Sequence, residues 1–273
     1  MIALGTLVYP QIDPVIFHIG SLAVRWYGLA YVAGFIAAGL LLRWLDRRWQ
    51  VGLSDDDQID IVLAAIIGVI VGARLGYVLV YGLSSYVNAP LSVFAIWDGG
   101  MSFHGGLVGI LVAGAFVARR KKISFLRLAD MGAVGAPIGF GLGRLANFIN
   151  DELWGRTTTL PWGMVFPTGG PLPRYPSQLY EALLEGVVLF CVMLLLARRK
   201  HADGLMFGVL LTLYGVFRIM VEFVREPDAQ LGLIAGPFSM GQLLSVPMVI
   251  VGCWLIWRAV KAGRGVDTGR PIG

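Results

Sequence analysis

Charge is scarce in this chain. Only 14% of its 273 residues are Asp, Glu, Lys or Arg, against 57% hydrophobic. No polar stretch is long enough to fold as a separate soluble domain, and the mean hydropathy is +0.74. Together these exclude an ordinary soluble protein and define an all-α membrane protein, expected as a single polytopic domain over 1–273. Cysteine is nearly absent too. Cys191 and Cys253 both fall in apolar stretches, so no disulfide framework is readable, and both read as small apolar packers. No Cys/His/Asp group has metal-ligand spacing, so neither a metal nor a cofactor is expected. A G-x-S-x-G elbow and a phosphate-binding loop are missing as well, which argues against a serine hydrolase or an NTP-driven pump. The first apolar run lacks a basic leader and carries Arg25, Trp26 and Tyr27, so a cleaved signal is not expected.

What is present is apolar sequence in span-sized blocks. A span needs about 20 apolar residues, and seven are predicted, at roughly 20–42, 59–81, 102–118, 131–149, 178–197, 204–224 and 238–257. Basic residues orient them. Of the 22 Lys and Arg, 15 fall in the connections after spans 1, 3 and 5 and in the tail, all on one side of a seven-span chain. That side is cytoplasmic by the positive-inside rule, which puts the N-terminus outside and the C-terminus inside. These clusters account for the net charge of +5 and suit anionic headgroups, so no nucleic-acid partner is expected.

The other seven basic residues are all arginine: Arg25, Arg74, Arg144, Arg156, Arg174, Arg218 and Arg225. Arg74, Arg144 and Arg218 lie inside apolar stretches. A fixed positive charge there costs at least ~2.5–3.5 kcal/mol, and arginine cannot shed its proton to escape the cost. The simplest partner in a bilayer is a lipid phosphate, so the chain reads as a protein that handles an anionic lipid headgroup. Glycines at four-residue spacing, Gly68/Gly72/Gly76, Gly105/Gly109 and Gly135/Gly139/Gly143, predict close helix packing beside Arg74 and Arg144. Between the spans, an outer loop at about 150–177 holds five prolines and predicts ordered turns, with Trp154, Trp162 and Phe166 suited to the interface. A smaller outer segment is expected at about 82–101.

Four groups of residues have chemical potential. His104, flanked by glycines in DGGMSFHGGLVG, reads as a base or as an interfacial hydrogen-bonding residue. In GRLANFINDELWGR, Arg144, Asn147 and Asn150 or Asp151 share a helix face, with Glu152 placed to hold the arginine. In YGVFRIMVEFVREPD, Tyr214, Arg218, Glu222 and Arg225 form one stripe, either a headgroup grip or an internal salt bridge. Gln178, Glu181 and Glu185 form a further stripe after RYPSQLYE. The same buried arginines would serve an anionic-lipid transporter or a lipid-binding scaffold. A transporter would favour paired repeats, and none is visible.

These motifs, HGG at 104–106, GRLANFINDELWG at 143–155, RYPSQLYE at 174–181 and YGVFRIMVEFVREPD at 214–228, resemble those of the prolipoprotein diacylglyceryl transferases over essentially the whole chain. The resemblance implies transfer of the diacylglyceryl group of phosphatidylglycerol to the lipobox cysteine of a preprolipoprotein. A thioether would form and glycerol 1-phosphate would leave, at the outer side of the bacterial inner membrane. It implies essential roles for His104, Arg144 and Arg218 and important ones for Tyr27, Asn147, Glu152, Gly155, Tyr214 and Glu222. Arg225 joins them through the Arg218 stripe. A thiol of pKa near ~8.5 needs activation. A neutral His104 or the arginine charges could each supply it.

Overall fold

The computed structural model describes residues 7–20, 22–81, 86, 89–95, 99–227, 233–235 and 238–267. Trp97 and Asp98, within the smaller segment expected at about 82–101, lie outside these. Among the described residues, seven helices are long and apolar enough to cross a membrane. They are α1 (Trp26–Trp49), α2 (Asp55–Tyr81), α3 (Phe103–Arg120), α4 (Phe125–Ile149), α5 (Ser177–Leu196), α6 (Leu205–Glu222) and α7 (Met240–Asp267). The predicted number of spans holds. The first boundary moves because β1 (Val15–Ile19) pairs antiparallel with β2 (Leu22–Arg25) ahead of α1. Large apolar side chains face outward, among them Leu40, Leu79 and Ile250 at 63–66% exposure. In water such a surface would aggregate; in a bilayer it is the solvated face. Cys191 and Cys253 are also exposed on their helices rather than packed inside.

The chain divides into two compact units, Leu42–Ala129 and the remainder, Met1–Leu41 with Asp130–Gly273. In the first unit, α2 starts with a capping box. Asp57 N–H donates to Ser54 Oγ (3.1 Å) and Ser54 N–H to Asp57 Oδ2 (3.0 Å). Asp55, Asp56 and Asp57 also oppose the positive end of the helix dipole. The expected glycine seam joins α2 and α3. A Cβ on Gly76 would lie 2.6 Å from Gly105 Cα, and one on Gly109 would run into the Gly68 carbonyl. Ser102 caps α3, its hydroxyl accepting from Gly105 N–H at 3.2 Å, and its own N–H donates to the Ala73 carbonyl at 2.9 Å.

In the second unit the tight approach of α4 involves Gly141, which the sequence reading passed over. A Cβ on Gly186 of α5 would lie 2.7 Å from Gly141 Cα, whereas Cβ atoms on Gly139 and Gly143 would meet nothing within 4 Å. Gly135 and Gly139 of the four-residue strip lie along α1 instead, where a Cβ on Gly135 would be 3.4 Å from Ala38 Cα and one on Gly34 would be 3.7 Å from Gly139 Cα. Within α5, Ala182–Val188 adopt π geometry, a widened turn that often accompanies function. Asp130 is fully buried and accepts from Gly204 N–H and Phe207 N–H, both at 2.8 Å, which caps α6. The loop between α4 and α5 has its own small core. Phe166 packs between Tyr9 and Phe148, with Tyr9 at 5.1 Å and Phe148 at 6.1 Å between ring centroids. Phe166 is therefore a fully buried loop anchor, not the expected interfacial aromatic.

Because the α2–α3 seam has no room for a side chain, Gly109→Ala should destabilise the protein by about 1–3 kcal/mol. Gly139→Ala should stay within about 0.5 kcal/mol of the parent. Detergent melting curves compare the two, and equal losses would show that the seam does not set the packing.

Candidate functional site

The arginines divide by how many of their donors are already used. Arg74 uses all five. Its Nε donates to the Val93 carbonyl (2.8 Å), NH1 to Gly99 and Gly100 (2.6 and 3.1 Å), and NH2 to Ser92 and Ala95 (2.6 and 3.1 Å). Its guanidinium also lies 5.2 Å from the Tyr86 ring centroid. Guanidinium has five N–H donors and no more, so none is left for a phosphate. The expectation that Arg74 binds an anionic headgroup is corrected: Arg74 organises the segment between α2 and α3.

Arg144, Arg218 and Arg225 instead converge on one carboxylate. Glu181, fully buried on α5, receives Arg218 NH1 and Arg225 NH1 (3.1 Å) on Oε1, while Arg144 Nε lies 3.0 Å from Oε2. Arg144 Nε is also 3.6 Å from Oε2 of Glu185, likewise fully buried. Arg218 NH2 reaches Glu222 Oε2 at 3.0 Å, so the predicted i, i+4 pair forms. α7 approaches so closely that a Cβ on Gly241 would lie 2.8 Å from the Glu222 carboxylate. Tyr214 lies beside Arg144 and packs on Phe140, ring centroids 4.9 Å apart. Three guanidinium groups thus face three carboxylates.

The pairs are not equivalent. Arg218 and Arg225 donate aligned hydrogen bonds to Glu181. The carboxylate oxygens facing Arg144, Glu181 Oε2 and Glu185 Oε2, accept no hydrogen bond. Charge holds Arg144 in place, and both carboxylates approach from its Nε side. Its terminal nitrogens are available to another anion. The arginine side chains keep 18% (Arg144) and 13% (Arg218) exposure over glutamates that keep none at Glu181 and Glu185.

Glu152 was expected to hold Arg144; it holds Tyr27 and Asn147 instead. The Tyr27 hydroxyl and Asn147 Nδ2 each donate to Glu152 Oε1 at 2.8 Å, and Asn147 Nδ2 also contacts the Tyr27 hydroxyl. Glu152 lies past the end of α4, beyond a residue with positive φ (Asp151, 56°), and so leaves the Arg144 face. Gln178 Nε2 donates to the Glu152 carbonyl at 2.7 Å, which ties this group to α5. Asp151 serves the loop between α4 and α5, accepting from Thr168 N–H at 2.6 Å.

Gly155 has a backbone role. A Cβ there would lie 2.5 Å from the Val224 carbonyl and 2.7 Å from Tyr175. Its N–H donates to the Tyr175 carbonyl (2.8 Å) and it bridges Arg225, which fixes the strand carrying that arginine. Arg156 and Arg174 are structural as well. Arg156 Nε donates to the Arg225 carbonyl (3.0 Å), and Arg174 stacks on Trp154 at 3.9 Å. His104 lies in the other compact unit, exposed on the first turn of α3, with its ring edge-on to Phe103 at 5.7 Å. Among the described residues no group of three His, Cys, Asp or Glu could hold a metal ion. In the sequence Glu181 and Glu185 fall on the Gln178 stripe, with no chemical role legible there. Their helical spacing from Gln178 was the available signal.

A multi-pass membrane protein with a guanidinium–carboxylate cluster inside its helices is the class these features define. A family model described as prolipoprotein diacylglyceryl transferase matches residues 14–258. Proteins named phosphatidylglycerol–prolipoprotein diacylglyceryl transferase are similar over nearly full length. One from Geobacter sulfurreducens is 57% identical over 244 residues, covering 89% of this chain and 94% of that protein. One from Brucella anthropi is 51% identical over 265 residues, 93% and 94%. One from Vibrio cholerae serotype O1 is 49% identical over 263 residues, 96% and 97%. The chain belongs to the prolipoprotein diacylglyceryl transferase family, and it is a transferase.

Glu181→Gln removes the charge that two aligned arginine bonds and a third ion pair share. Leaving buried arginine uncompensated should cost about 3–5 kcal/mol. Glu222→Gln, which touches one arginine, should cost less. Thermal unfolding in detergent ranks them, and the reverse order would remove Glu181 as the centre of the cluster.

Proposed function

We propose that this chain transfers the diacylglyceryl group of phosphatidylglycerol to the lipobox cysteine thiol of a preprolipoprotein. The products are a thioether and glycerol 1-phosphate, and the site is the outer side of the bacterial cytoplasmic membrane. Arg144 carries the reading. It is a partly buried arginine held by charge, with most of its fork unspent, in a family whose relatives are named for this lipid. A planar fork suits a phosphodiester, which offers two oxygens at matching spacing.

The thiol gives up its proton, sulfur attacks the glyceryl carbon, and the carbon–oxygen bond to phosphate breaks with its electron pair staying on oxygen. Negative charge on the phosphate rises along this path. Donors aimed at it therefore bind the transition state more tightly than the ground state. Arg218 and Arg225 are tied to Glu181 and add positive potential without leaving their seats. Tyr27, Asn147 and Glu152 hold the outer end of α4, and with it the approach to Arg144. The attack is on carbon, so no two-metal clamp is needed.

Purified protein incubated with phosphatidylglycerol and a lipobox peptide should yield a thioether-linked product by mass spectrometry. Absence of product would overturn the reading. Arg144→Lys should lower kcat/KM by about 10²–10³-fold, the scale of one lost transition-state donor. Arg74→Lys should lower folded yield and leave turnover per folded molecule near normal; if it also abolished turnover in folded protein, Arg74 would belong to the chemistry after all. His104→Gln decides how the thiolate forms. If His104 is the base, the variant is slow near neutral pH and recovers at about pH 9, where the thiol ionises unaided. If it stays inactive at both, His104 acts by position.

A further inference from the structure

Glu185 is a carboxylate whose place in this site carries a consequence for binding. Both its oxygens are buried and accept no hydrogen bond, and the side chain has no solvent exposure. A buried ionised carboxylate without hydrogen bonds is expensive, and only nearby positive charge offsets that cost. Its ion pair is with Arg144, at 3.6 Å, the longest in the cluster. Arg144 is also the arginine whose donors remain open to a phosphate.

The charge count then changes on binding. Arg144, Arg218 and Arg225 balance Glu181, Glu185 and Glu222 before a ligand enters. A lipid phosphodiester brings a fourth negative charge into a poorly screened interior. Loss of charge on one carboxylate would restore the balance and favour binding. Glu181 is secured by two aligned arginine bonds, and Glu222 lies 3.0 Å from Arg218. Glu185 has the weakest hold and shares its arginine with the incoming phosphate. The charged or titratable groups facing it are Arg144 from α4, Glu181 from its own helix, Tyr214 and Arg218 from α6, and Arg225 just beyond α6. The three arginines do not titrate.

We infer that Glu185 takes up one proton from solution as an anionic lipid headgroup binds at Arg144. This rests on the assignment of Arg144 to the phosphate. The proton is in place before chemistry, so the cluster is neutral with the diester bound and carries only one excess negative charge when the leaving phosphate gains its second.

Binding of a short-chain phosphatidylglycerol, without peptide, tests this in detergent by titration calorimetry in buffers of different ionisation enthalpy. The expected result is uptake of about one proton per lipid, and affinity that falls about tenfold per pH unit as pH rises through the linked range. Glu185→Gln should bind with no proton uptake and a flat pH profile, and His104→Gln should keep the parent's uptake. Difference infrared spectra of the unaltered protein should gain a carboxylic-acid C=O band on lipid addition, whether or not the glutamine variant folds. No uptake and no new band with lipid bound would overturn the inference and leave the transferase reading intact. Unchanged uptake in folded Glu185→Gln would move the proton to another group and overturn it too. Failure of the parent to bind phosphatidylglycerol at all would overturn the Arg144 assignment and this inference with it.

Discussion

An arginine inside a membrane bundle has to have its donors matched, and the matching decides what it can do. Two solutions occur in this chain. Arg74 is saturated by five backbone carbonyls from one connecting segment. Arg144 is balanced by two carboxylates that supply charge but no aligned hydrogen bond. The first solution fixes a loop. The second satisfies the Coulomb cost of burial and leaves directional capacity for a ligand.

Glu181 is the common anchor of that second arrangement, and several sequence features converge on it. The Gly141–Gly186 contact brings α5 against α4, close enough for the Arg144 side chain to reach two carboxylates on α5. Gly155 lets the strand after α4 lie on the backbone around Val224 and Tyr175, which places Arg225 for its bond to Glu181. Gly241 lets α7 pack directly on Glu222. These glycines stand where a side chain would separate the charged groups, so their contribution to the site is distance rather than contact with a ligand.

Much of this could be read from residue order. Span-length apolar blocks gave seven helices because a bilayer requires long apolar segments and little else does. Tyr214, Arg218 and Glu222 fell on one stripe because helical periodicity is local. What escaped the sequence was tertiary. Backbone carbonyls bind Arg74, and Ser92, Val93 and Ala95 carry no signal for that. Glu152 was assigned to Arg144 by proximity in the chain, but the left-handed residue Asp151 turns it toward Tyr27 and Asn147. The π segment at Ala182–Val188 has no clear composition, and it carries Glu185.

The cluster's balance also bears on which ligands it can accept. Three arginines with no carboxylates would hold a phosphate tightly at every stage, including the product, and slow its release. Three arginines matched by three carboxylates hold little net charge, so a diester binds only as far as the cluster can adjust. At the proposed Arg144 site the leaving phosphate, more negative than the substrate, would strain the same balance and be expelled more readily. A transferase that must release an anionic headgroup after each turnover is served better by compensated arginines than by bare ones. On this view the buried glutamates are part of the catalytic design as well as the cost of putting arginine in a membrane.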